Sequence, residues 1–372
     1  MTFKGGTVRE LTITDTHRAI QKQRLNCQPL TRRYIKRIKT YNKVGGLNAI
    51  IYINPGALQR ARALDQQYAA DKSMKRLHCI PVILKDNFDT ADMPTEAGSI
   101  ALRGSTPPDD AYLVRRLRNN DAIIVAKANM GEWAFSPYET VSSTHGITRN
   151  AYDTERVPAG SSGGTASAIA ANFGIIGMGT DTGNSIRGPA AHLALVGLRS
   201  TLGATSRDGI VPLLLNRDVG GPLTRTVTDS AIVYSVIAGV DSADPLTAAA
   251  AGRVRADYRD YLIPDGLKGA RLGVLRALVD ERPLLLALDD LQWLDAGSAG
   301  LLFHLGRELR GHRILILGAY RPEEVALGRP KTSKAGRVAA RQERHPLEGV
   351  LAEFQRRFGD IWLEFYDKGV YP

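Results

Sequence analysis

Only two cysteines, Cys27 and Cys79, occur in 372 residues. That is too few for a disulfide framework and fits a reducing compartment. No apolar run approaches the roughly 18 residues that cross a bilayer. The N-terminal stretch MTFKGGTVRELTITDTH lacks an apolar signal core. The expectation is a cytoplasmic protein without a membrane partner. No Cys/His cluster has metal-ligand spacing, so no metal and no cofactor is expected. No P-loop pattern G-x-x-x-x-G-K-[ST] occurs, which removes the usual phosphate cradle. Aromatics make up 6% of the chain, and they do not interleave with the basic residues that give a net charge of +11. That scatter reads as solvated helix faces and disfavours nucleic-acid binding.

What is present is ordinary for a globular protein: 43% hydrophobic, 23% charged, with 37 glycines. Residues 9–75 read as mostly helical. TDTHRAIQKQ opens a helix on a threonine cap, and NPGALQRARALDQQYAADKS carries a second with Pro55 near its start. HCIPVIL is a short β-branched run that reads as a buried strand ending before Lys85. YLVRRLRNN is a helix, AIIVAK a strand, and ANMGEWAFS a helix or turn. Residues 206–229 read as loop, followed by the helix DSAIVYSVIAGV; RLGVLR reads as a strand. Alternation of this kind implies an α/β sheet flanked by helices.

Serines hemmed by glycines occur twice between Pro158 and Gly188, at Ser161–Ser162 and at Ser185. Gly183 permits a tight turn with positive φ and lets the backbone approach a substrate closely; successive N–H groups in such a turn converge as an oxyanion hole requires. A nucleophilic Ser185 needs a base. The elbow G-x-S-x-G is absent around it, and His145 and His192 carry no motif and read as structural or surface. A lysine can substitute. Lys85, at the end of a buried strand, is the candidate, because burial disfavours its ammonium form. Lowering its pKa from about 10.4 to about 7–8 costs roughly 4 kcal/mol.

PVILKDN around Lys85, AGSSGG at Ala159–Gly164 and TDTGNSIRGP at Thr180–Pro189 together resemble the amidase signature family. The intervals between Lys85, Ser161 and Ser185 match those of the family. The resemblance spans roughly residues 8–280 and includes ANMGEWAF, RDGIVPL and DVGGPLTRTVTD. It implies a mixed twisted sheet flanked by helices and a Ser–cis-Ser–Lys triad. Ser185 would be the acyl nucleophile, Ser161 the proton shuttle on a cis peptide bond, and Lys85 the base. The N–H groups of Thr182, Gly183, Asn184 and Ser185 would form the oxyanion hole, with Ser162, Asp181 and Arg187 supporting it. Asn184 stands where the family usually has glycine. Its side chain there narrows the site or adds a hydrogen bond, and asparagine tolerates positive φ. Ala159 and Cys79 also replace glycines, Cys79 reading as a small packing residue. Glu132, Trp133 and Phe135 read equally as site lining or as packing.

Beyond about Asp280 the resemblance stops. PLLLALDDLQWLDAGSAGLL resembles a Walker B segment of a signal-transduction ATPase, with Asp289–Asp290 at a strand end. The sequence thus divides into an amidase signature domain at 1–280, truncated at its C-terminus, an ATPase-like strand–helix–strand fragment at 281–325, a basic linker at 326–346 and a helical tail at 347–372. A fusion of two truncated coding regions, joined near Ala277–Pro283, would leave a sheet edge exposed unless the foreign segment covers it. The reading is an amidase that cleaves a small-molecule carboxamide through an acyl-enzyme. The alternatives are a non-catalytic remnant, a protein similar to the amide-cleaving component of an amidotransferase and needing a second component, and a nucleotide-binding regulatory module. Self-association into a homo-oligomer stays open.

Overall fold

A computed structural model describes residues 10–43, 45–265, 284–288 and 314–318, together with Ala352 and Arg356. The chain divides into two compact units, Met1–Pro264 and Asp265–Pro372.

The first unit begins with α1 (Ile13–Gln21). Its cap is Thr12, two residues earlier than the sequence suggests, and the Thr12 hydroxyl accepts from the Asp15 N–H at 3.0 Å. Helix α2 (Cys27–Tyr41) follows. The run IIYI then forms a strand, β1 (Ile50–Ile53), inside the stretch read as helical. Four β-branched or aromatic residues suit a pleated surface, and they are too few to break a helical period by eye. Helix α3 (Ala57–Asp71) leads to β2 (Pro81–Lys85), every residue of which is buried. His78 and Cys79 fall outside this strand because Cys79 takes φ 66, a left-handed turn that a strand cannot contain.

Helix α4 (Tyr112–Asn119) and strand β3 (Ile123–Ala128) sit where the pattern puts them. Past a short hairpin, β4 (Val141–Ser142) and β5 (Gly146–Ile147), comes α5 (Gly163–Ala170). Then follow β6 (Ile176–Asp181), α6 (Arg187–His192), β7 (Val196–Gly197), β8 (Val219–Thr224) and α7 (Val227–Ile237).

Six strands form one mixed sheet in the order β1-β3-β2-β6-β8-β7. The pairs β3–β2 and β2–β6 are parallel, and the outer pairings β1–β3, β6–β8 and β8–β7 are antiparallel. Strand β8 lies in a stretch read as loop because its glycines mask the strand signal. They are there for close approach: a Cβ on Gly221 would lie 2.2 Å from the Leu198 carbonyl oxygen. The parallel centre places the carboxyl ends of β2 and β6, which carry Lys85 and Asp181, side by side. Ligands in open α/β sheets bind at such ends. Val82, Ile83 and Leu84 are fully buried. At about 1.5–3 kcal/mol each, they offset the cost of burying the lysine that follows them.

In the second unit, β9 (Leu284–Leu288) and β10 (Ile314–Gly318) pair in parallel, Ile314 opposite Leu284. Asp289–Asp290, the RLGVLR strand, the junction, the linker and most of the tail lie outside the described residues. Among the described residues no helix is long and apolar enough to cross a membrane.

Candidate active site

Lys85 has no exposed surface, and its Nζ donates to Ser161 Oγ at 2.7 Å and to Thr180 Oγ1 at 2.7 Å. Burial pulls its pKa down to about 7, against the opposing pull of the Asp181 and Asp218 carboxylates. A buried amine at that pKa is about half unprotonated at neutral pH, so it can both take and return a proton.

Ser161 is fully buried and follows a cis peptide bond, Gly160–Ser161. Its carbonyl accepts from the Gly131 N–H at 3.0 Å. The next residue, Ser162, joins the two serine segments. Its N–H donates to the Ser185 carbonyl at 3.2 Å, and its hydroxyl donates to the Thr180 carbonyl at 3.1 Å. Ser185 is 4% exposed. No hydrogen bond joins the Ser161 and Ser185 hydroxyls among the described residues.

The turn from β6 to α6 carries Thr182, Gly183, Asn184 and Ser185. Among the described residues none of their four backbone N–H groups meets an acceptor. This leaves a run of free donors beside the Ser185 hydroxyl, as an oxyanion hole needs. The turn does not use positive φ, however. Neither Gly183 nor Asn184 is left-handed. Gly183 instead leaves space: nothing lies within 4 Å of where its Cβ would stand. The Asn184 side chain folds back over the start of α6, its Nδ2 2.1 Å from the Cβ position of Gly188. That placement, rather than tolerance of a left-handed turn, is how the chain accommodates Asn184.

Asp181 anchors the turn. Its Oδ2 accepts from the Ile186 N–H at 3.0 Å, the Arg187 N–H at 3.3 Å and Arg187 Nε at 3.2 Å. Its Oδ1 accepts from Arg199 Nη1 at 2.9 Å. Burial alone would raise this carboxyl, but the hydrogen bonds of Arg187 and the Ile186 N–H hold it below its ordinary value. Thr182 Oγ1 donates to Asp218 Oδ1, whose partner oxygen accepts from the N–H groups of Leu213 and Leu214 at 2.8 and 2.9 Å. A narrow pocket beside Thr180 is lined by Asn87, Ala134, Thr182, Leu213 and Asp218.

The other residues singled out in the sequence make no hydrogen bond to Lys85, Ser161 or Ser185 among the described residues. Glu132 accepts from the Ser143 N–H at 3.0 Å and braces its own loop. Trp133 and Phe135 are 40% and 80% exposed and flank Ala134, which lines the pocket. His145 Nε2 sits 2.9 Å from Glu96 Oε2, and the His192 carbonyl accepts from Asn150 Nδ2 at 3.1 Å. Cys27 and Cys79 are joined as a disulfide rather than packed as separate thiols, and His78 adjoins them. Sequence spacing missed this trio because Cys27 and His78 come from distant segments.

Sequence reasoning also missed Thr180, Asn87, Arg199 and Asp218. Asn87 Nδ2 donates to Thr180 Oγ1 at 3.1 Å, fixing the hydroxyl against Lys85. Thr180 and Asn87 stand within or beside the quoted motifs, so their presence was legible. Their facing was not, because it depends on the pairing of β2 with β6.

An amidase family match covers residues 29–284. A probable amidase of Arabidopsis thaliana is 37% identical over 277 residues, covering 72% of this chain and 54% of the relative. A glutamyl-tRNA(Gln) amidotransferase subunit from Acidothermus cellulolyticus is 39% identical over 260 residues, 70% of this chain and 49% of the relative. The crystal structure of a peptide amidase from Stenotrophomonas maltophilia superposes with a TM-score of 0.67 at 37% identity, over 88% of this chain and 64% of that one. The chain spans about half the length of the curated relatives it matches. The match ends at residue 284, and the resemblance of residues 281–325 to an ATPase segment finds no support among the relatives. Over its first three quarters, sequence and architecture agree: the chain belongs to the amidase family.

Proposed function

We propose that the chain cleaves a carboxamide by acyl transfer to Ser185. The observation that carries this reading is Lys85 Nζ at 2.7 Å from Ser161 Oγ, in a site whose burial brings the amine to a pKa of about 7. Ser185 Oγ attacks the amide carbonyl while its proton passes to Ser161 Oγ, and the Ser161 proton passes to the neutral amine of Lys85. The developing oxyanion meets the unoccupied N–H groups between Thr182 and Ser185. Collapse expels the amine or ammonia, which takes its proton back from Lys85 through Ser161. Water then repeats the sequence on the ester and releases the acid. Ser162, by tying residue 162 to the Ser185 carbonyl, sets the spacing of the two hydroxyls. Asp181 and Arg187 fix the turn that presents the donors.

A serine-directed phosphonate probe tests the assignment. Wild type is expected to gain one covalent adduct, mapped by mass spectrometry to Ser185. Ser185→Ala gains none, and Lys85→Ala gains it far more slowly. An adduct that persists in Ser185→Ala refutes the nucleophile. The similarity to an amidotransferase component supports a second reading, in which the released ammonia is passed to an acceptor held by a partner protein. Free ammonia released to solvent in stoichiometry with acid, by the chain alone, distinguishes the first reading from the second.

A further inference from the structure

Cys27 opens α2, and its N–H is held at 2.6 Å by Asp65 Oδ1. Cys79 occupies the left-handed turn just before β2. The two are bonded as a disulfide, with Cα atoms 4.9 Å apart. His78 lies against them, its Nε2 3.7 Å from Cys27 Sγ. One ligand atom from each of Cys27, His78 and Cys79 falls within 4.8 Å of the others, and all three residues are buried.

We propose that, once the disulfide is reduced, Cys27, His78 and Cys79 form a buried binding site for Zn²⁺. Two thiolates and an imidazole are the soft and borderline donors that zinc selects. Thiolate sulfurs about 2.3 Å from a tetrahedral zinc lie roughly 3.8 Å apart, so opening the disulfide by a small side-chain rotation creates the spacing. The imidazole already stands at a comparable distance. Its other nitrogen, Nδ1, faces Asp121 Oδ2 at 3.4 Å, which leaves Nε2 turned to the sulfurs with its lone pair free. A carboxylate behind a ligating histidine is the usual way of fixing that tautomer. Asp121 is itself neutralised by Arg60 at 3.1 Å and Lys75 at 3.9 Å, so it does not compete for the ion. Zinc with two thiolates carries no net charge, and a neutral cluster suits a buried position.

The chemistry balances. A phosphine reductant gives two electrons to the disulfide and leaves as its oxide with an oxygen from water, yielding two thiols. Zn²⁺ then binds both sulfurs and the His78 Nε2 lone pair, releasing two protons to solvent, and its oxidation state does not change. The disulfide and the zinc site are therefore alternative states of the same residues, each tying the start of α2 to the strand that ends in Lys85.

The test uses the full chain, stripped of metal, in disulfide and phosphine-reduced forms, with Co²⁺ alone as a spectroscopic probe. The reduced protein is expected to take one Co²⁺ per chain with a thiolate-to-cobalt charge-transfer band, which Zn²⁺ abolishes, while the disulfide form gives no band. Cys27→Ser and Cys79→Ser should lose most of the band. Zn²⁺ should raise the melting midpoint of the reduced protein by several degrees, and if reduction unfolds the chain, Zn²⁺ should restore its melting transition. A reduced wild type that gives no band beyond the disulfide form, or that zinc neither stabilises nor refolds, overturns the proposal.

Discussion

Thr180 Oγ1 lies 2.7 Å from Lys85 Nζ, the same separation at which Nζ meets Ser161 Oγ. The lysine is thus held between two hydroxyls, one on the sheet and one on the serine segment. Asn87 and Ser162 fix the Thr180 end. In the proposed mechanism this bracket is what positions Lys85 as the base.

Thr180→Val removes that anchor while keeping the shape. A hydrogen bond to the ammonium favours the charged form, so its loss lowers the Lys85 pKa further. The expected result is a ten- to hundredfold fall in kcat, on the order of what misplaced acid–base groups cost. The midpoint of the pH profile moves to lower pH, and Thr180→Ser restores both. A purely structural role would lower activity without moving the midpoint.

The dependence of activity on pH follows from the same amine. The proposed mechanism requires the base form of Lys85, and burial brings its pKa to about 7. The kcat/KM for an uncharged amide is expected to rise about tenfold per unit below that pH and to level off above it. A steady-state profile between pH 5 and 9 measures it, those limits being roughly two units either side of the pKa.

Stability carries the opposite mark of the same burial. An unfolded lysine titrates at its ordinary value of 10.5, whereas Lys85 in the fold titrates near 7. Between those values the unfolded chain binds a proton that the folded one does not, so stability rises with pH across that window. Below pH 7 the folded state bears the full cost, on the order of 5 kcal/mol. Lys85→Met is therefore expected to be inactive yet more stable than wild type near pH 6, with the difference shrinking as pH approaches 10. Chemical denaturation at several pH values measures the slope.

Lys85, Ser161 and Ser185 stood out in the sequence because each sits in a short motif with a chemical reason: a lysine ending an apolar strand, and hydroxyls among glycines. The strands β2 and β3 and the helices α4 and α7 were readable from their patterning. Strand β8 was not, since Gly220 and Gly221 serve close packing against Leu113 and Leu198 that only the folded sheet reveals. Thr180, Arg199 and Asp218 were invisible as site residues because their roles arise from pairing between strands far apart in the chain. From sequence Gly183 reads both as a left-handed turn and as room for close backbone approach; it has no positive φ, and open space lies where its Cβ would stand. The meeting of Cys27 with Cys79 depends on how α2 docks beside the turn before β2, a tertiary fact that spacing does not encode.

At the root of the proposed mechanism is a neutral Lys85 acting as base beside Ser161. Direct titration of its side chain by NMR, on lysine-labelled protein with Lys85→Met to identify the signal, reads that protonation without reference to any substrate. A midpoint near 7 is expected; a midpoint near that of an ordinary exposed lysine, about 10.4, would contradict the mechanism.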